Sequence, residues 1–131
     1  MTGIAVFAHG SSVESANEAV RLAAAEMASQ GGFELVEPGF LELGKPDLPG
    51  AVERLIERGA TRIIVVPYFL TLGIHLQRDL PRIIRGIQSI HTNVQIDVTK
   101  PLDGHPALID ALLDRAGKLM QGGDKAESQA D

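Results

Sequence analysis

Two short stretches, residues 4–8 (Ile-Ala-Val-Phe-Ala) and 62–67 (Arg-Ile-Ile-Val-Val-Pro, apolar after its leading Arg62), carry apolar side chains at consecutive positions instead of alternating ones. A strand with one wet face alternates, whereas a continuous apolar run of this length needs cover on both faces. That environment is the interior of a parallel sheet flanked by helices, so these two runs are read as adjacent central strands.

The intervening segments supply the helices. Val13, Ala16, Val20, Ala23, Ala24 and Met27 recur at helical intervals between Ser11-Ser12 and Gly31-Gly32, and Ser11 and Glu14 have capping-box spacing. Residues 33–41 mix apolar and charged side chains around Pro38, which suits a peripheral strand because proline cannot donate to a central ladder. Leu48, Ala51, Val52, Leu55 and Ile56 form a second stripe that stops at Gly59. A third helix carries Leu80, Ile83, Ile84, Ile87 and Ile90, with Pro81 near its start. Val94, Ile96 and Val98 alternate as a strand, and Leu108, Ile109, Leu112, Leu113, Ala116 and Leu119 mark a last helix. The expected fold is α/β, a doubly wound four-stranded parallel sheet with helices on both faces. With the Pro38 strand outside the first, the strand order is 2-1-3-4. Residues 1–120 are expected to form a single domain, and residues 121–131, polar and without periodicity, a disordered tail.

This topology selects the site. In an open parallel sheet ligands bind beyond the carboxyl ends of the strands, where the strand order reverses. Here that point falls between strands 1 and 3, which lead into His9 and into the 67–75 segment ending at His75. Glu42 follows strand 2 and reaches the same edge. Imidazole and carboxylate together suit Co²⁺, Ni²⁺, Fe²⁺ or Zn²⁺, and three protein ligands leave coordination positions open for exchange. Each residue also has a plainer role: a hydrogen-bonded histidine at a strand end, a loop histidine, a solvated carboxylate. Arg78 and Arg82, spaced i, i+4 after His75, are either a solvated helix face or partners for substrate carboxylates. Ser11 and Ser12 open the first helix, where free N–H groups favour an anionic substituent, although capping alone explains them. His91 closes the third helix and His105 opens the fourth, so both have structural explanations.

Composition removes other classes. The 131 residues contain no Cys and no Trp, carry a formal charge of −5, and are 4% aromatic. Thiolate chemistry is excluded, and neither a phosphate-tracking basic face nor stacking platforms for nucleic acid are evident. No apolar run approaches the ~20 residues of a membrane span, and the first strand begins too early to leave room for a signal core. A cytoplasmic location with no nucleic-acid or membrane partner is expected.

Four motifs in order and spacing carry a resemblance. They are His9-Gly10-Ser11, Phe40-Leu41-Glu42 followed by Pro46, Val66-Pro67-Tyr68-Phe69-Leu70, and Gly73-Ile74-His75 followed by Asp79-Leu80-Pro81. From about Ile4 to Leu119 the chain resembles the small form of the class II chelatases, the CbiX-type sirohydrochlorin cobaltochelatases. The resemblance implies that His9 and His75 are the metal-binding, catalytic pair and Glu42 the carboxylate near them. Relatives commonly carry Arg after the His-Gly-Ser motif, where Ser12 stands here. Larger chelatases of the class have two such domains facing a shared cleft, which implies that two short chains associate as a C₂ homodimer.

The expected activity is insertion of a divalent metal into sirohydrochlorin without ATP or any other nucleotide, in cobalamin or another tetrapyrrole pathway. Co²⁺ is the metal that the resemblance favours, with Ni²⁺ and Fe²⁺ as alternatives. Neutral histidines can hold the ion and accept pyrrole protons, so protonating them should oppose activity at acid pH. Two rivals stand beside it: a non-catalytic metal or tetrapyrrole carrier, which needs the same histidines, and a phosphoryl-transfer enzyme with His9 as nucleophile and arginines gripping phosphate, for which the chain lacks an arginine beside that histidine.

Overall fold

The computed structural model describes residues 1–123 and contains eight elements in strict alternation: β1 (Thr2–Ala8), α1 (Glu14–Gly31), β2 (Val36–Phe40), α2 (Leu48–Glu57), β3 (Arg62–Pro67), α3 (Ile74–Ile90), β4 (Gln95–Val98) and α4 (Pro106–Met120). The four strands are parallel in the order β2-β1-β3-β4, as the apolar runs require. Pro38 lies on the edge strand β2, opposite Val6. Its missing N–H is therefore tolerated.

The chain divides into two compact units, Met1–Pro101 and Leu102 onward. In the first, alternate side chains of the inner strands serve different helices. Ala5, Phe7, Ile63 and Val65 pack with Leu48, Val52 and Leu55 of α2 and with Leu80 and Ile87 of α3. Ile4 and Val6 point the other way, onto Val20, Ala24 and Met27 of α1. Both faces of β1 are thus apolar because both are covered. Gly39 lets α2 come close, since a Cβ there would sit 3.0 Å from the Ala51 Cβ.

Two helix starts differ from their sequence reading. α1 begins at Glu14 with Val13 as N-cap and no side-chain cap, so the Ser11/Glu14 capping box is not formed. Instead the Glu14 carboxylate faces Arg21 and Asn17. α3 starts at Ile74, which puts Pro81 inside the helix instead of near its start and His75 on the first turn instead of in a loop. Its N-cap, Gly73, brings no capping side chain, so the ordinary start signal is missing.

In the second unit His105 caps α4, its Nδ1 accepting from the Ala107 N–H at 3.0 Å. After Met120 the chain turns, with the Gln121 and Gly122 N–H groups donating back to Gly117 and Leu119. Residues 124–131 of the expected tail lie outside the described residues. Among the described residues, no helix is long and apolar enough to cross a membrane.

Candidate active site at the strand termini

β1 ends at Ala8, so the chain leaves the sheet at His9 on the carboxyl edge. The neighbouring edge strand leaves at Phe40 and is kept beside it beyond the sheet: the Leu41 N–H donates to the Ala8 carbonyl at 2.9 Å and the Glu42 N–H to the His9 carbonyl at 3.1 Å. Gly10 is required at the crossing. Its φ is +91°, and a Cβ would overlap the Glu42 carbonyl oxygen. The two side chains that flank this crossing meet, with His9 Nδ1 3.9 Å from Glu42 Oε1 and both exposed.

β3 delivers the other wall. After Pro67, Phe69 packs edge-on to Phe7, with ring centroids 5.6 Å apart, and also edge-on to His9 at 6.4 Å. The chain then enters α3, whose first turn carries His75. His9 and His75 line one cleft of about 400 Å³, together with Leu41, Phe69, Asp79 and Ile83. Glu42 lines the adjoining depression with Glu14, Arg21 and Lys45, and Leu41 belongs to both. Among the described residues no three His, Asp or Glu side chains are already gathered as a metal-ligand set. A two-histidine cleft with a carboxylate at its rim can admit a metal and leave it exchangeable.

The remaining candidates separate. Arg78 is beside the cleft, its Nη2 3.4 Å from His75 Nδ1 and its Nε donating to Asp79 Oδ1 at 3.2 Å. Arg82, a turn further along α3, is exposed and outside the cleft lining. Ser11 is engaged internally: its hydroxyl accepts from the Val13 N–H at 3.0 Å, and its own N–H and carbonyl both bond the Asn17 amide. Ser12 is exposed.

Three contributors were not singled out from the sequence. Phe69 and Asp79 stand in the quoted motifs, but nothing in their spacing shows that they face the histidines. Asn17 is 1% exposed, and it also donates to the Leu43 carbonyl at 2.9 Å. Leu43 has φ +59°, a left-handed conformation that costs a non-glycine residue on the order of 1–3 kcal/mol. The hydrogen bond from Arg21, reinforced by that from Asn17, holds the Glu14 carboxyl below its ordinary range.

The family model described as CbiX matches residues 3–119. The chain belongs to the CbiX family. The sirohydrochlorin cobaltochelatase of Methanocaldococcus jannaschii is 31% identical, over 88% of this chain and 98% of that relative. That of Sulfolobus acidocaldarius is 32% identical, over 92% and 94% respectively. Among solved structures, a CbiX protein from Marinobacter aquaeolei VT8 superposes with a TM-score of 0.82 at 28% identity, covering 94% of this chain and all of that one. The sirohydrochlorin chelatase SirB from Bacillus subtilis subspecies spizizenii, in complex with cobalt, gives a TM-score of 0.82 at 27% identity. This chain covers 50% of SirB, so one SirB chain is twice the length of the matched fold.

Proposed function

We propose that this CbiX-family chain is a metal chelatase that inserts Co²⁺ into sirohydrochlorin without a nucleotide, with His9 and His75 as its working residues. The observation that carries the proposal is the placement of these two imidazoles on one cleft at the switch point of the sheet. The named activity of full-length relatives at about 31% identity supports the choice of substrate.

The chemistry follows from the cleft. Metal insertion replaces two pyrrole N–H protons by one M²⁺, so the site must accept two protons while it releases an ion. Two neutral imidazoles, each with one lone pair, can hold the ion and then take the protons as it leaves. Glu42, 3.9 Å from the His9 Nδ1, puts a carboxylate beside a metal ion held by that ring. Apolar walls from Leu41, Phe69, Leu76 and Ile83 suit a macrocycle face. Arg78 at the rim would meet a peripheral carboxylate, with Arg82 beyond it and the exposed Ser12 as further candidates for substrate substituents. A chain half the length of SirB would complete a two-lobed cleft by pairing as a homodimer.

The test is metalation of sirohydrochlorin with Co²⁺, Ni²⁺ and Fe²⁺, followed by absorbance against the uncatalysed rate, for the unsubstituted chain, His9→Ala and His75→Ala. Multiple turnover that both substitutions abolish supports the reading and ranks the metals. A single equivalent bound without turnover would replace it by the carrier.

A further inference from the structure

We infer that Asn17 is a positioning residue for the metal site, holding the His9 turn and the Glu42 turn in fixed register through one buried amide. The inference rests on the chelatase reading for what His9 and Glu42 do, and on hydrogen bonding for the rest.

Asn17 lies in the first turn of α1, where a polar side chain ordinarily faces water. Here it is the one polar side chain in the buried class among the described residues, and an amide so buried must be fully paired. Its Oδ1 accepts from the Ser11 N–H at 2.9 Å, while Nδ2 donates to the Ser11 carbonyl at 2.8 Å and to the Leu43 carbonyl at 2.9 Å. An amide nitrogen has two hydrogens, so these two short bonds use both, and the 3.3 Å approach to Glu14 is secondary. The amide orientation is fixed by the same set, since exchanging O and N would oppose N–H to N–H and carbonyl to oxygen.

A helix-entry role would need only the two bonds to Ser11. The bond to Leu43 goes further, because Leu43 sits in the strained left-handed conformation and directly follows Glu42. Asn17 therefore grips one turn two residues after His9 and the other one residue after Glu42. The Glu42 N–H bond to the His9 carbonyl and the Gly10 crossing lie between these grips. Releasing the Leu43 carbonyl frees the Glu42 turn to relax, and the 3.9 Å approach of Glu42 to His9 is lost with it.

The experiment compares Asn17→Asp with the unsubstituted chain. Aspartate keeps the acceptor for Ser11 and the side-chain shape but removes the donors to both carbonyls. Co²⁺ binding is titrated in its visible d–d bands, at a temperature where circular dichroism shows both proteins folded, and metalation kinetics are recorded beside it. We expect the Co²⁺ Kd to rise about tenfold or more, the range typical for supporting partners of metal ligands. We expect kcat to fall while KM for the tetrapyrrole stays within about twofold. A folded variant with the Kd of the unsubstituted chain overturns the inference. Should Asn17→Asp not fold, Asn17→Ala, which removes the same donors without burying a charge, carries the same test. If neither folds, Asn17 is structural only and the inference fails. Co²⁺ binding by the unsubstituted chain without turnover would sink the chelatase reading yet still decide on Asn17; no Co²⁺ binding at all would sink both.

Discussion

His9 Nδ1 and Glu42 Oε1 lie 3.9 Å apart although they leave different strands of the sheet. Backbone bonds between the two turns, Leu41 to Ala8 and Glu42 to His9, hold the pair together. Both side chains are more than half exposed, so the pair adds little to stability; under the proposed chelatase function its value would lie in the charge it presents to a bound cation. Glu42→Gln keeps the shape and removes the charge. Its expected outcome is a Co²⁺ Kd raised on the order of tenfold with an unchanged unfolding midpoint, measured by titration against a competing chelator. An unchanged Kd would remove Glu42 from the site.

Gly10 makes the crossing of the two turns possible. Gly10→Ala meets both a φ of +91° and the Glu42 carbonyl, so relief requires the turns to separate. Urea unfolding should show a loss of about 1–3 kcal/mol. Co²⁺ affinity should fall in the same variant. Full stability in Gly10→Ala would mean that the crossing is looser than its geometry.

The inner strands were legible because burial on both faces removes alternation, and the switch point followed from strand order alone. That was enough to bring His9 and His75 to one cleft. The start of α3 was not legible, because Gly73 offers no capping side chain and Pro81 imitates a first-turn proline. Asn17 was illegible for a different reason. On the helical pattern of α1 it reads as one more polar position, and the Leu43 carbonyl that makes it necessary lies on a distant loop. Periodicity reports which face is buried, not which backbone carbonyl will need a donor there.

The Arg21 hydrogen bond, then that from Asn17, holds the Glu14 carboxyl below its ordinary range, and the same contact raises Arg21. A depressed folded-state pKa contributes stability that is present above the unfolded-state value and lost as pH falls through the folded one. Acidification below the ordinary Glu range should therefore release this contact, and carboxyl-detected NMR should show Glu14 titrating below that range. Arg21→Ala should return Glu14 upward. The pair is on the surface, so added salt should shrink the difference.

Arg78 places a cation 3.4 Å from the His75 ring and at the rim of the cleft, where two demands oppose each other. Under the proposed function its charge would attract substrate carboxylates and repel the incoming metal. Arg78→Ala should therefore separate the two substrates of the reaction. KM for the tetrapyrrole should rise about tenfold or more, the loss expected for one charge-assisted hydrogen bond, while Co²⁺ affinity stays level or improves. Arg82 lies outside the cleft lining, so Arg82→Ala should change KM by less. Steady-state metalation at varied sirohydrochlorin and saturating Co²⁺ measures the first effect, and direct Co²⁺ titration the second. A fall in both affinities on removing Arg78 would mean that it acts by holding His75 in place instead of by its charge.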